Sequence, residues 1–207
     1  MFFVHFDAKG GFSLGKLTRD FFARDTRLVA QELLGKYLVR MDGGAALAGR
    51  ITETEAYIGP IDKACHAYGY RRTKRTETLF ARPGTAYIYL IYGMYHCLNF
   101  VTEAEGEPCA VLLRGLEPAA GAERMALARF GRPLEELTAY QKKHFLDGPG
   151  KVCRALGLTR AQDGLDLCGE ELFLWDAGEP VPDFHTGKRI GIDYAEEAAD
   201  FPWRYYL

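Results

Sequence analysis

Apolar and polar positions alternate in two rhythms along this chain, and the changes of rhythm predict most of its elements. From Thr18 to Leu38 the pattern is helical: Leu28, Val29, Leu33 and Leu34 form an apolar stripe, Asp25 is placed to cap the start, and Gly35 to end it. From Gly49 to Tyr57 the period falls to two, with Ile51, Glu53, Glu55 and Tyr57 on one side and Thr52, Thr54 and Ala56 on the other. Gly59-Pro60 stops that strand. A polar loop from Asp62 to Arg82 follows. Thr85 to Val101, dense in Tyr, Ile and Val, then predicts a hairpin turning at Gly93-Met94. Glycine at the first central position suits a type II′ turn, which would set Tyr92 and Tyr95 facing each other near the tip. Cys109 to Leu113 predicts another strand, ending at Arg114. Ala120 to Phe130 and Leu134 to Phe145 read as helices, and a third begins after Gly148-Pro149-Gly150. Leu172 to Trp175 and Arg189 to Ile192 are expected as short closing strands. Strands first, mostly antiparallel, then helices and strands predict an α+β fold. The expectation is a single domain over 1–207 with a short N-terminal arm (about 1–17), a mixed, largely antiparallel sheet, a protruding β-hairpin and surrounding helices.

Composition narrows the class. The chain has 207 residues, of which 48% are hydrophobic, enough to bury a core. It holds no apolar run of the ~18 residues that a membrane span needs. Met1 to Gly10 mixes Asp7 and Lys9 with apolar residues and lacks the layout of a signal peptide. The expected location is therefore the cytoplasm in a prokaryote, or the nucleus otherwise. The five cysteines (Cys65, Cys97, Cys109, Cys153, Cys168) are scattered without a CxxC pair, which argues against a disulfide framework. Cys65-His66 and His96-Cys97 are adjacent pairs whose members would point to opposite faces of a strand, so no metal site is expected, and no cofactor.

Charge at first points away from nucleic acid: 26 Lys and Arg stand against 28 Asp and Glu, a net charge of −2. Its distribution changes the picture. Tyr70 to Arg82 carries Arg71, Arg72, Lys74, Arg75 and Arg82 against Glu77 alone, and a second cluster holds Lys142, Lys143, His144, Lys151 and Arg154. Acids gather at Glu196, Glu197 and Asp200. A local basic face can hold phosphates while the remainder is acidic, although two ordinary solvated faces give the same pattern.

Three groups of residues are candidates for chemistry. Glu53 and Glu55 project from one face of a strand. If that face is buried, two like charges need a cationic partner, and Arg114 at the end of a neighbouring strand is one. A carboxylate held by an arginine can orient and deprotonate water. The same alternation also describes a solvent-facing sheet, and the strand alone does not separate the two. Tyr87, Tyr89, Tyr92 and Tyr95 crowd into the hairpin beside the basic loop, an arrangement that suits base stacking, though tyrosines also simply favour strands. Gly148-Pro149-Gly150-Lys151 before a helix offers N–H groups and a lysine to a phosphate, or is a plain turn; it is not a Walker loop. The G-x-S-x-G elbow, the dinucleotide fingerprint and the zinc deaminase signature are all absent.

Longer stretches decide between these readings. ITETEAYIGPI from Ile51, Asp62 to His66, RPGTAYIYLIYGMYHCLNF from Arg82, CAVLLRGLEP from Cys109, GPGKVCRALGL from Gly148 and RIGIDYA from Arg189 together resemble the alkyladenine (3-methyladenine) DNA glycosylase family, in the same order. The resemblance spans about Ala23 to the C-terminus. It implies a monofunctional glycosylase that flips alkylated or deaminated purines (3-methyladenine, 7-methylguanine, hypoxanthine, ethenoadenine) out of double-stranded DNA and hydrolyses their bond to deoxyribose, starting base excision repair. It also implies roles. Glu55 is then the general base, with Arg114 helping to hold the water; Tyr57, His66 and Tyr89 line the base pocket, and Asn99 opposes the amino group of normal guanine. The backbone of Ile192 is a further water ligand, Tyr92 is the intercalating wedge, and Glu53 is a supporting residue. Arg71, Arg72, Lys74, Arg75 and Lys151 are expected on DNA phosphates. A single wedge at a single lesion needs no symmetry, so a monomer is expected. The sequence departs from the family pattern at Thr73 to Thr78 and at His96, which bears on substrate range and not on the reaction. The rival readings are a damage-recognition module that does not cut, which would lack Glu55 or Arg114, and a hydrolase of free nucleosides, which has no use for Tyr92 or the basic loop.

Overall fold

Asp25 divides the first predicted helix in two. Its carboxylate accepts from the N–H groups of Arg27 and Leu28, opening α2 (Thr26–Glu32) just after a short α1 (Arg19–Phe22). The continuous helix expected from Thr18 to Leu38 is thus broken at 23–25, and the chain leaves the helical path at Gly35 (φ +83°) before β1 (Tyr37–Asp42). Val29, Leu33 and Leu34 are buried as expected, whereas Leu28, in the capped first turn, is 42% exposed. The computed structural model describes residues 15–207; the reading of Met1 to Gly10 and most of the expected N-terminal arm lie outside the described residues.

The sheet is built around β2 (Ala45–Ile58), which pairs with β1, with β5 (Cys109–Ala120) and with β8 (Arg204–Tyr206). Strand order is β3-β4-β5-β2-β1-β6, where β3 is Ala86–Ile91, β4 Tyr95–Thr102 and β6 Leu172–Trp175; β7 (His185–Gly187) pairs with β8. Every one of these pairings is antiparallel, in keeping with the predicted α+β class.

One irregularity in β2 matters for everything that follows. Ile51 pairs with Leu116, Glu53 with Gly115 and Thr54 with Leu113, so the register shifts twice within four residues. Ile51 therefore joins Ala56 in the main core, while Glu53, Glu55 and Tyr57 keep to the opposite face. The strict alternation expected from Ile51 to Tyr57 is corrected by this bulge. Gly115 permits it: a Cβ there would lie 2.8 Å from Thr52 Oγ1 and 3.1 Å from Glu53 Cβ.

The two faces of the sheet have different covers. Helices α2, α3 (Ala122–Phe130) and α5 (Pro149–Ala155) bury one face in the main core, against Ile51, Ala56, Ile88, Leu98, Phe100, Val111 and Leu113. On the other face Tyr57, Tyr87, Val101 and Ala110 meet loop residues such as Cys65, Leu79, Phe80 and Ile192 in two smaller apolar clusters. Loops in place of helices on this face leave room for a cavity.

Three further expectations are corrected. The hairpin turns at Tyr92-Gly93, both with positive φ (52° and 71°), the requirement of a type I′ turn; Tyr95 pairs with Ile91 and not with Tyr92. Leu134 to Phe145 is not one helix but a 3-10 turn (Leu134–Glu136) and α4 (Ala139–Lys143), separated by extended Leu137 and opened by a Thr138–Gln141 capping box. Arg189 to Ile192 is not a strand: Gly191 turns the backbone out of the extended region (φ +76°), and the closing strands are β7 and β8. Among the described residues no helix is long and apolar enough to cross a membrane.

Candidate active site

Glu55 is a fully buried carboxylate on the central strand, and such a group needs donors to persist. The Tyr57 hydroxyl donates to Oε2 (2.7 Å), the Ile190 N–H donates to Oε1 (2.9 Å), and Arg114 Nε lies 3.4 Å from Oε1. Arg114 Nε also donates to Glu53 Oε1 (3.1 Å), an oxygen that accepts Arg204 Nε at 2.6 Å as well. Glu53 thus anchors the guanidinium that faces Glu55. Burial pushes the Glu55 pKa up and Glu53 adds to this, while Arg114, the Tyr57 hydroxyl and the Ile190 amide pull it back; the net direction is upward. A carboxylate more basic than a surface glutamate, with donors fixing both oxygens, is suited to taking a proton from water.

Beside it lies a cavity of about 270 Å³, at the small end for ligand sites. Tyr57, His66, Tyr89, Tyr92, Asn99, Arg114 and Ile192 all line it, so residues spread over more than 130 positions converge on one space. Tyr87, noted in the sequence among the hairpin rings suited to stacking, also lines it, together with Cys97, Ile190 and Tyr194, which the sequence did not single out. The His66 ring stands edge-on to Tyr89 (centroids 4.6 Å apart), with Nδ1 3.1 Å from the Tyr87 hydroxyl. Burial, with Arg75 nearby, pushes the His66 pKa down to about 4, so the ring is neutral at physiological pH. Burial raises the Tyr57 and Tyr89 hydroxyls well above their usual range and keeps them protonated donors. Asn99 is held by its Nδ2, which donates to the carbonyls of Tyr87 (3.2 Å) and Cys97 (3.4 Å).

A buried ion pair sets the geometry of the far wall. Arg189 Nη2 donates to Asp62 Oδ1 (2.8 Å) and to Ala198 O (3.0 Å), and Nη1 donates to Ala56 O (2.9 Å); both side chains are fully buried. The guanidinium also backs the Tyr57 ring, 4.6 Å from its centroid. It fixes the chain one residue before the Ile190 amide that reaches Glu55. Ile192, two residues on, contributes a buried side chain to the wall.

The basic residues separate into two kinds. Arg71 and Lys74 are exposed and have no side-chain partner among the described residues. Arg72 is paired with Glu77 (2.6 Å), Lys151 with Asp147 (2.7 Å), and Arg75 reaches His66, its Nη2 3.3 Å from Nε2. Tyr92, at the hairpin tip, is 80% exposed.

Comparison with known proteins places this geometry. Residues 20–207 match the model of the methylpurine-DNA glycosylase family. The chain belongs to that family. Methylpurine-DNA glycosylases hydrolyse N-glycosidic bonds, and this chain is accordingly a DNA glycosylase of alkylated purines, a DNA-repair enzyme whose substrate is DNA. It is 54% identical over 195 residues to a Clostridium perfringens protein named "Putative 3-methyladenine DNA glycosylase", covering 93% of this chain and 95% of the relative. Proteins of the same name from Alkaliphilus oremlandii and Clostridium botulinum are 51% identical over 192 and 193 residues, with the same coverage.

Proposed function

We propose that this methylpurine-DNA glycosylase flips a damaged purine out of duplex DNA into the cavity and cleaves its glycosidic bond with a water activated by Glu55. The observation that carries the reading is the buried, donor-held Glu55 carboxylate beside an aromatic cavity sized for one small ring system. Tyr92, exposed at the end of a rigid hairpin, fills the gap that the flipped base leaves. Flipping costs a few kcal/mol of unstacking, least for damaged bases, so part of the selection precedes chemistry. Tyr57, Tyr89 and His66 then receive the base. Alkylation at N3 or N7 makes a purine cationic, and a cation is favoured against aromatic faces. Water held by Glu55 with the help of Arg114 loses a proton to the carboxylate as its oxygen bonds to the sugar carbon, and the bond to the purine breaks with its electron pair leaving on the base. The carboxylate also stabilises the positive charge that develops on the sugar.

Among the described residues no lysine lines the cavity to supply the amine that a Schiff base requires, which supports simple hydrolysis with the strand left unbroken. Asn99 stands as a filter against the amino group of normal guanine. The substrate range we infer is 3-methyladenine, as in the names of the relatives, with 7-methylguanine, hypoxanthine and ethenoadenine. Arg71 and Lys74 are the exposed cations that meet phosphates directly; Arg72 and Lys151 must first exchange Glu77 and Asp147 for them. The enzyme acts as a monomer, and its bacterial relatives support a cytosolic location. The test is base release from a duplex carrying one 7-methylguanine or hypoxanthine. Wild type is expected to free the base and leave an intact abasic strand, while Glu55→Gln binds the lesion and frees none. Binding without release by both proteins would replace this reading with that of a recognition module.

A further inference from the structure

Arg75 stands in the basic loop, yet its guanidinium is turned to the pocket rings. Nη2 lies 3.3 Å from His66 Nε2, and the guanidinium carbon is 5.5 Å from the centre of the Tyr89 ring. Arg71, Arg72, Lys74 and Arg75 are all exposed, but their contacts differ: Arg72 is taken by Glu77, and Arg71 and Lys74 have no side-chain partner among the described residues. Arginine has only N–H donors, so His66 Nε2 must be the acceptor. The ring proton then sits on Nδ1, which donates to the Tyr87 hydroxyl at 3.1 Å. We propose that Arg75 is a positioning residue of the base pocket, fixing His66 as the neutral Nδ1–H tautomer against Tyr87, and is not a contact to the DNA backbone. This rests on the reading of the cavity as the base pocket.

The consequence is electrostatic. The groups that face His66 are Tyr87 and Tyr89 from β3, Arg75 from the loop, and Cys65 beside it in the chain; Glu55 and Arg114 belong to the Glu55 side of the same cavity. Both phenols and the Cys65 thiol are raised by burial and stay neutral, which leaves Arg75 as the charged group in contact with the imidazole. Burial and the guanidinium both oppose protonation of the ring. The guanidinium brings its own positive charge to that wall at every pH, so what Arg75 supplies is the tautomer and orientation of the ring and not a less positive pocket.

The experiment uses the whole chain and the variants Arg75→Ala and Arg75→Gln. Three quantities are read: the NMR titration of His66, assigned with His66→Gln; single-turnover release of 7-methylguanine and of hypoxanthine against pH; and the salt dependence of lesion binding. The expected result is a His66 pKa higher by about one unit in both variants. Release of 7-methylguanine and of hypoxanthine should slow together, by about tenfold in both variants, because the ring that receives either base is no longer held. Salt dependence should match wild type. An unmoved His66 titration, with the slope of log affinity against log salt reduced by about one, would overturn the proposal and make Arg75 a phosphate ligand. Failure of the wild type to release either base would instead sink the base-pocket reading, and the His66 titration would still decide whether Arg75 holds the ring.

Discussion

Tyr57→Phe removes one hydrogen bond from Glu55 and leaves the ring that lines the cavity. The bond runs from a hydroxyl to a buried carboxylate at 2.7 Å. Hydrogen bonds to charged groups contribute about 1.5–3 kcal/mol, and one pKa unit corresponds to about 1.4 kcal/mol, so the Glu55 pKa should rise by about one to two units. The sign follows from which form the bond favours. The hydroxyl stabilises the ionised carboxylate, so its loss favours the protonated one, and a base must be ionised to act. The acid limb of the rate therefore moves up in pH by the same one to two units. At a fixed pH on that limb the rate falls about 10- to 100-fold, and it recovers as pH is raised. Single-turnover release of hypoxanthine is the assay, because that base carries no charge of its own across the acid to neutral range. Lesion affinity should hold, since the ring remains. An acid limb that stays in place, or a rate lowered by one factor at every pH, would refute the reasoning and assign the hydroxyl to substrate positioning.

Three other outcomes are expected. Asp62→Asn strands the buried Arg189 and should cost about 3–5 kcal/mol in urea unfolding, with a smaller loss when Arg189→Met accompanies it; a loss below about 1 kcal/mol would mean the pair is not the clamp described. Tyr92→Asn puts a residue tolerant of positive φ at the turn, so thermal stability should hold or rise by up to about 1 kcal/mol while lesion binding weakens; unchanged binding would remove Tyr92 from the DNA interface. His66 has its pKa depressed to about 4 in the folded chain. Between that value and its ordinary ~6.5 the unfolded chain takes up a proton that the native one refuses, so stability should fall by on the order of 3 kcal/mol as pH drops through this window. His66→Gln should lack that part of the slope, and equal slopes in the two proteins would contradict it.

Side chains were more legible in the sequence than backbone. The family resemblance, more than the residue types alone, singled out Glu55, Arg114 and the ring residues; the structure sets Arg114 and the rings around one cavity, with Glu55 bonded to its lining through Tyr57 and Ile190. The bulge at 51–54 was hidden, because alternation reads the same on either side of an inserted residue until Gly115 is seen to admit a close approach. The Ile190 amide was hidden for a related reason: a backbone N–H has no letter of its own. The Asp62–Arg189 pair joins residues 127 positions apart, a pairing that no local pattern encodes. Arg204 sits on a three-residue strand too short to show a period. By contrast, Thr138 and Gln141 spell a capping box in plain view and would have split the helix drawn from Leu134 to Phe145.

The place of Glu55 on β2 divides the candidate site into two halves of unequal rigidity. To move the carboxylate, the ladders to β5 and β8 on either side of it must open together, so amide hydrogens along this part of the strand belong with the slowest exchanging in the molecule. The opposite wall, residues 190–194, has no strand partner and is tethered mainly through Arg189 on its neighbouring buried aspartate. Whatever breathing opens the cavity therefore belongs to that loop, while the strand that carries Glu55 stays fixed.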